Sequence, residues 1–572
     1  MAPLLPPDIM LLICEELGYQ RDFGSLFNLA KAGKSVARSA LLWIYRVHHQ
    51  NSIRAGGNDQ TEMSKTGTFK ETTITARVAQ QKHTVSRWAL QWRSIILSSL
   101  SKTAYPYCLY IRSLDLTNLE YLLEDDVFKD SMLETFFSGD METLLRTYNT
   151  PLKRPKRTNR KYYRRLNIPS ILEVVGESIS KYVSDSAFQV GGAAALEELS
   201  GRIPAAVLPL WVGRLSRLQS MTLWDGSFLN KSAADAIRLN CPDFQALNVW
   251  SCLGAHADAD LAEFFSSLRP NSLRAFQVNS RNDIAAESFL ALNSHRESLS
   301  DLRLGDIPSS GMKALSLLAG CTALETLNLR DSTGTIRLEA TENDVFLEVL
   351  AWVRSCSNLK HIRVEKFTDG PSLLTSLCME NEIHLRSLSL NHYSLANNQE
   401  LHRALTHQPS LESLELRADA EESFRDDIDT LISSICTLKE LNDLNLLDTS
   451  DYFKNAEVHR LAMSLQKLKF FTIGGYEMND DVWPALSSLS YLVSMSFHAV
   501  TSFTFEGILK YISSLKDTNG GLTLSIMCAT MESDLSQGER AIIREAIAAK
   551  VDGKFEFVLF REAESDFSLD SD

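Results

Sequence analysis

Eleven times between Leu218 and Phe497 the chain repeats one short phrase: a leucine or phenylalanine, two variable residues, an apolar residue, one variable residue and a second apolar residue. The copies read LQSMTLWD from Leu218, FQALNVWS from Phe244, LRAFQVNS from Leu273, LSDLRLGD from Leu299, LETLNLRD from Leu324 and LKHIRVEK from Leu359. They continue as LRSLSLNH from Leu385, LESLELRA from Leu411, LNDLNLLD from Leu441, LKFFTIGG from Leu468 and LVSMSFHA from Leu492. Start-to-start steps are 26, 29, 26, 25, 35, 26, 26, 30, 27 and 24 residues. The alternation within each phrase suits a short strand with one buried face. A unit this small cannot bury that face alone, so successive copies must stack into a continuous array.

Phrase and period are those of a leucine-rich repeat. The expected fold is an α/β solenoid, a leucine-rich-repeat horseshoe with a parallel concave sheet and convex helices. Segments such as FLEVLAWVRS from Phe346, LHRALTHQ from Leu401, VHRLAMSL from Val458 and FEGILKYISSL from Phe505 are expected to form the helices. Repeats are assigned to residues 206–528 and a C-terminal cap to 529–560. Cys241, Cys321 and Cys356 each stand three residues before a phrase, and Cys252 follows one. As free thiols they are expected to pack as small buried hydrophobes, not to hold a metal.

The variable phrase positions face away from the core and form columns along the sheet. Trp224 and Trp250 share one column in adjacent repeats, roughly 5 Å apart by the spacing of neighbouring strands. They are the first candidates for anchoring a bound protein. Farther along, Arg303, Arg330, His361, Arg363 and Arg417 project from the same face among Asp301, Glu365 and Glu415. Locally positive columns would suit an acidic or phosphorylated segment, whereas ordinary surface solvation requires no ligand.

The first 48 residues read as three short helices. Pro6 and Pro7 suit a helix entry, Ile9, Leu12, Ile13, Glu16 and Leu17 fall at helical spacing, Gly18 ends that helix, and Asp22 caps the next. Such a small piece is expected to leave apolar surface for a partner. With its opening Leu5-Pro6, Asp8, Ile9, Ile13, Leu17, Asp22-Phe23, Leu26, Leu29 and closing Leu42-Trp43-Ile44-Tyr45, the segment resembles an F-box, a small all-α motif. The resemblance implies docking on the Skp adaptor of a cullin-RING ubiquitin ligase through Leu5, Pro6, Ile9, Ile13, Leu17, Leu26 and Leu29. Trp88, Trp92, the YPY at Tyr105 and IRSLDL from Ile111 resemble the region after the motif in fungal F-box/leucine-rich-repeat proteins. Residues 49–85 read as a polar linker or loop. Residues 86–205 read as a helical N-terminal cap holding a first irregular repeat and a basic insertion, and 561–572 as an acidic tail. The insertion, PLKRPKRTNRKYYRR from Pro151, has eight basic residues among fifteen and suits a nuclear-import signal, an acidic partner or plain solvation equally.

A formal charge of −14 opposes nucleic-acid binding in general. The N-terminal apolar stretch has no basic leader and no segment is long enough to span a bilayer, so neither a signal peptide nor a membrane partner is expected. Nine scattered cysteines fit reduced thiols of a cytoplasmic or nuclear protein. No phosphate loop, HExxH or nucleophile elbow is present, so no enzyme activity and no cofactor is expected. The function implied by the resemblance is that of a non-catalytic substrate receptor joining an unknown target protein to the ligase core. The alternative is a repeat scaffold or inhibitor acting without ubiquitylation.

Overall fold

The computed structural model describes residues 6–46, 74–148, 165–190, 195–396, 398–418, 424–530 and 534–559. Leu5, residues 151–164 of the basic insertion and the tail 561–572 lie outside the described residues. The chain divides into two compact units, Met1–Val278 and Asn279–Asp572.

The first unit opens with α1 (Pro7–Tyr19), α2 (Phe23–Ala32) and α3 (Lys34–Arg46). Proline in the first turn starts α1 without sacrificing an intrahelical hydrogen bond. Asp22 caps α2, accepting the Ser25 amide at 3.0 Å. Contrary to expectation, Gly18 does not end α1. A Cβ there would stand 2.8 Å from the Trp43 ring, so the glycine lets α1 settle on α3. Cys14, Leu26, Ala40 and Trp43 form the small core, with Leu17, Phe23 and Leu29 packed against it.

Next comes α4 (Ile74–Ser99), so helix reaches back into the stretch assigned to the linker. The cause is local: no glycine or proline interrupts residues 68–103, and Ala76, Ala79, Gln80, Gln81 and Lys82 favour helix. Trp88, Trp92, Ile95, Ile96 and Ser99 are all buried along one face. Trp92 Nε1 donates to Asn118 Oδ1 at 2.9 Å, which meets the indole's need for a partner inside the core.

The sheet of this unit runs β1 (Ser113–Asp115), β2 (Glu198–Gly201), β3 (Ser220–Asp225), β4 (Ala246–Ser251) and β5 (Ala275–Val278), each parallel to the next. Their register is in phase, so Leu199, Met221, Leu247 and Phe276 form one inward row. Strands joined through helices on one side are what parallel pairing requires.

The second unit continues the scheme with β6 (Asp301–Ile307), β7 (Thr326–Asp331), β8 (His361–Glu365), β9 (Ser387–Tyr393) and β10 (Ser413–Ala418). Then follow β11 (Asp443–Leu446), β12 (Phe470–Asn479), β13 (Ser494–Ser502), β14 (Thr523–Ala529) and β15 (Lys554–Leu559). All neighbours pair in parallel. The four segments expected to be helical contribute Asn343–Ser355, Gln399–Ala404, Asn455–Ser464 and Phe505–Ser514. The longest step, 35 residues, accommodates an additional turn at Leu338–Thr341. At the C-terminal end, helix Gln537–Val551 packs on β15, its start fixed by reciprocal hydrogen bonds of Ser536 and Glu539.

The apolar phrase residues are almost completely buried: Leu218, Met221 and Leu223 in one repeat, Leu441, Leu444 and Leu446 in another. Each is worth roughly 1.5–3 kcal/mol relative to exposure. The position three residues before a phrase has its own task. Cys241 Sγ lies 3.3 Å from Val212 O, and Gln408 Nε2 donates to Cys378 O at 2.9 Å. Buried polar groups at this recurring position satisfy carbonyls of the preceding turn.

Candidate protein-binding surfaces

On the N-terminal bundle, Ile9, Leu12 and Ile13 are exposed on α1, and Phe27 is exposed on α2. Pro6 is exposed as well, whereas Leu17 and Leu29 are half-buried against the bundle core. Leu26, expected on the docking face, is completely buried and supports that face from beneath. The bundle is pinned to the rest of its unit: Tyr45 Oη lies 2.6 Å from Ser94 Oγ, and its ring stacks on Tyr107 at 4.6 Å.

On the open face of β3 and β4, Trp224 and Trp250 stand side by side with ring centroids 5.3 Å apart. Trp224 is held in place by its neighbours. Its Nε1 donates to Thr117 Oγ1 at 2.8 Å, and the Arg202 guanidinium lies over its ring at 5.3 Å. Arg202 is itself tethered to the buried carboxylate of Glu120 at 3.4 Å. Trp250 remains half exposed, with Phe228 and Leu253 exposed on the loops that follow the two strands. Rings fixed before a partner arrives lose little entropy on binding, which suits an anchor.

Arg202 and Thr117 were not singled out from sequence. Their signal was the phrase LEELSGRI from Leu196, in which Gly201 replaces the second apolar residue of the template. Gly201 has φ +140°, and a Cβ there would stand 2.8 Å from Leu116 Cβ, so glycine preserves the repeat at this crowded point.

The arginines of the second unit are brought onto one face, but none stands bare. Arg303 grips Asp301 with two hydrogen bonds of 2.8 and 2.9 Å. Arg330 lies 3.1 Å from Asp306 and 3.3 Å from Glu365, and Arg363 lies 3.4 Å from Glu415 and 3.7 Å from Glu365. Arg417 reaches Glu415 at 3.2 Å. The result is an alternating ribbon of guanidinium and carboxylate in place of a positive column. His361 stands exposed at the start of β8.

Cys241, Cys252, Cys321 and Cys356 are all buried. Burial pushes the thiols of Cys241, Cys321 and Cys356 up to about 12. Among the described residues no group of three or more histidine, cysteine or acidic side chains is placed to hold a metal, and no helix is long and apolar enough to cross a membrane.

In-phase parallel strands, an inward aliphatic row and returning helices occur in both units. Each unit is a leucine-rich-repeat array. No protein-family model matches the chain, and no curated protein sequence matches it. Similar solved structures include an internalin from Listeria monocytogenes, 17% identical, with 60% of this chain and 82% of that chain covered and a TM-score of 0.34. The complex of Rad7 and Elc1 in yeast matches at 14% identity, covering 65% and 94% with a TM-score of 0.38. The mouse RP105/MD-1 complex matches at 13%, covering 61% and 64% with a TM-score of 0.33.

Proposed function

We propose that the protein is a non-catalytic target-recognition subunit of a Skp/cullin/RING ubiquitin ligase. Its N-terminal bundle would dock on the Skp adaptor through Leu5, Pro6, Ile9, Ile13, Leu17 and Leu29, and its repeats would hold a target protein. The observation that carries this reading is the exposed apolar face of α1, with Ile9, Leu12 and Ile13 left uncovered on a bundle whose underside is fixed by Tyr45. Exposed aliphatic residues at helical spacing suit helix-on-helix docking. Trp224 and Trp250 of the first unit would anchor the target, and Arg303, Arg330, His361, Arg363 and Arg417 of the second unit would offer a separate polar contact surface. Because bundle and tryptophans share one compact unit, a bound target is held at a defined place relative to the adaptor, and catalysis is proximity supplied to a separate ubiquitin-conjugating enzyme.

Co-purification of the full-length chain with a Skp adaptor tests the reading. Wild type should retain the adaptor and Ile9→Asp with Ile13→Asp should lose it, while Trp250→Ala should keep the adaptor and shed target proteins. Absence of adaptor binding by wild type, or undiminished binding by the double variant, overturns the ligase role.

A further inference from the structure

The second unit has a surface that the arginine ribbon does not include, at the C-terminal ends of β11 and β12. In the column that contains Arg417, Leu447 and His498, the β12 position is Gly474, which is buried and lets the chain after β11 lie close, with Asp448 N 3.5 Å from where a Cβ would stand. Near this close approach Tyr452 and Tyr476 are both about half exposed, at 54% and 50%. They come from successive repeats and are drawn together by a backbone hydrogen bond from the Tyr476 amide to Phe453 O at 3.0 Å. Gly475, at φ +132°, makes this approach possible, because a Cβ there would collide with Phe453 O.

Three carboxylates stand around the two rings, with Lys454 as a basic group among them. Asp448, Asp451 and Glu477 are exposed beside the tyrosines. Glu477 has Lys454 as a counter-ion at 2.9 Å, but neither aspartate forms an ion pair among the described residues. This departs from the ribbon, where every guanidinium has a carboxylate. The wider field has the same sign: residues 279–572 contain 26 Lys/Arg and 45 Asp/Glu, a formal charge of −19, whereas residues 1–278 contain 32 and 27.

We propose that this surface docks an extended, arginine-rich segment of a partner protein, with guanidinium groups stacked on Tyr452 and Tyr476 and paired with Asp448 and Asp451. The chemistry is specific in sign. Aromatic faces attract cations through their quadrupole, and guanidinium groups both stack on rings and pair with carboxylates. The acidic unit would raise the encounter rate, while the tyrosine–aspartate cluster supplies the stopping point. An acidic or phosphorylated segment would be repelled here. The proposal rests on reading the repeats as a protein-binding surface and does not involve the adaptor.

The test uses the full-length chain without adaptor, a fluorescein-labelled peptide of alternating arginine and glycine as probe, and its glutamate counterpart, read by anisotropy at about 50 and about 300 mM salt. Asp448→Asn with Asp451→Asn should weaken arginine-peptide binding about tenfold, and Tyr452→Leu with Tyr476→Leu should weaken it about threefold to tenfold. Asparagine tolerates the left-handed backbone at Asp448, φ 55°, so the first pair tests charge without strain. Glu506→Gln with Asp517→Asn removes equal charge elsewhere in the unit and should change affinity less than about twofold. Equal weakening by that control would reduce the effect to net charge and overturn the site. So would comparable binding of the glutamate peptide, or no arginine-peptide binding at low salt. Adaptor co-purification is read separately, so loss of one result leaves the other interpretable.

Discussion

His402 should make the second unit acid-sensitive, and the size of the effect follows from its surroundings. The residue lies in helix Gln399–Ala404 and is completely buried. Its Nε2 is 3.5 Å from Tyr393 Oη, and its Nδ1 meets no hydrogen-bond partner among the described residues. Burial lowers its pKa from 6.5 to about 4, only partly opposed by the charge of Asp427. The unfolded chain therefore takes up the proton first. Stability is full above the unfolded value, declines as pH falls below 6.5 and stops declining near 4, where the folded state protonates too. The whole transition is worth roughly 3 kcal/mol at about 1.4 kcal/mol per pKa unit, and roughly 2 kcal/mol of it falls between about pH 7 and about pH 5. Urea unfolding of wild type and His402→Gln at those two pH values isolates the contribution. The variant will carry a packing cost that is independent of pH, so the quantity of interest is the difference in pH dependence. Wild type should lose roughly 2 kcal/mol more than the variant on acidification. Parallel losses would refute the assignment of a neutral buried imidazole, as would an imidazole resonance in the native protein titrating near its ordinary value.

Neutralising the shared carboxylates of the arginine ribbon with Glu365→Gln and Glu415→Gln should raise affinity for a generic phosphopeptide a few-fold by releasing Arg363 and Arg417, as measured by calorimetry. Buried thiols should resist alkylation in the native state, Cys436 alone among the described cysteines being partly exposed, so mass spectrometry should find Cys436 modified well before Cys241, Cys321 or Cys356. Gly176→Ala should destabilise the first unit by roughly 1–3 kcal/mol in urea unfolding, because the new Cβ collides with the ring of Trp211.

The repeat phrase made the strands legible because its inward positions obey one physical demand, burial against the neighbouring copies. Repeats whose first apolar residue is replaced were harder to see. In the register of β14 and β15 that position falls on Gly521 and Asp552, both with left-handed backbone, φ 79° and 53°. The tryptophan pair could be placed from columns alone, since adjacent parallel strands fix the distance between equivalent side chains. Ion pairing could not. Arg363 and Glu415 belong to strands separated by β9, and they meet across the short Ser389, whose Oγ also donates to Glu415 at 2.9 Å. That contact depends on how far a side chain reaches over a small neighbour, which a linear pattern does not encode.

The self-pairing has a consequence for how a target could be chosen. An arginine already gripping a carboxylate gains less from an incoming phosphate, because the existing pair must first be broken or shared. Four guanidinium groups occupied in this way make phosphorylation a weak selector on the ribbon. Among the described residues, exposed side chains outside the ribbon's ion pairs include the outer face of Trp250 with Phe228 and Leu253 in the first unit, and Tyr452 and Tyr476 with Asp448 and Asp451 in the second. Discrimination would come from apolar anchoring on the surface of the first unit and from positive charge in the partner on the surface of the second, and neither requires modification of the partner.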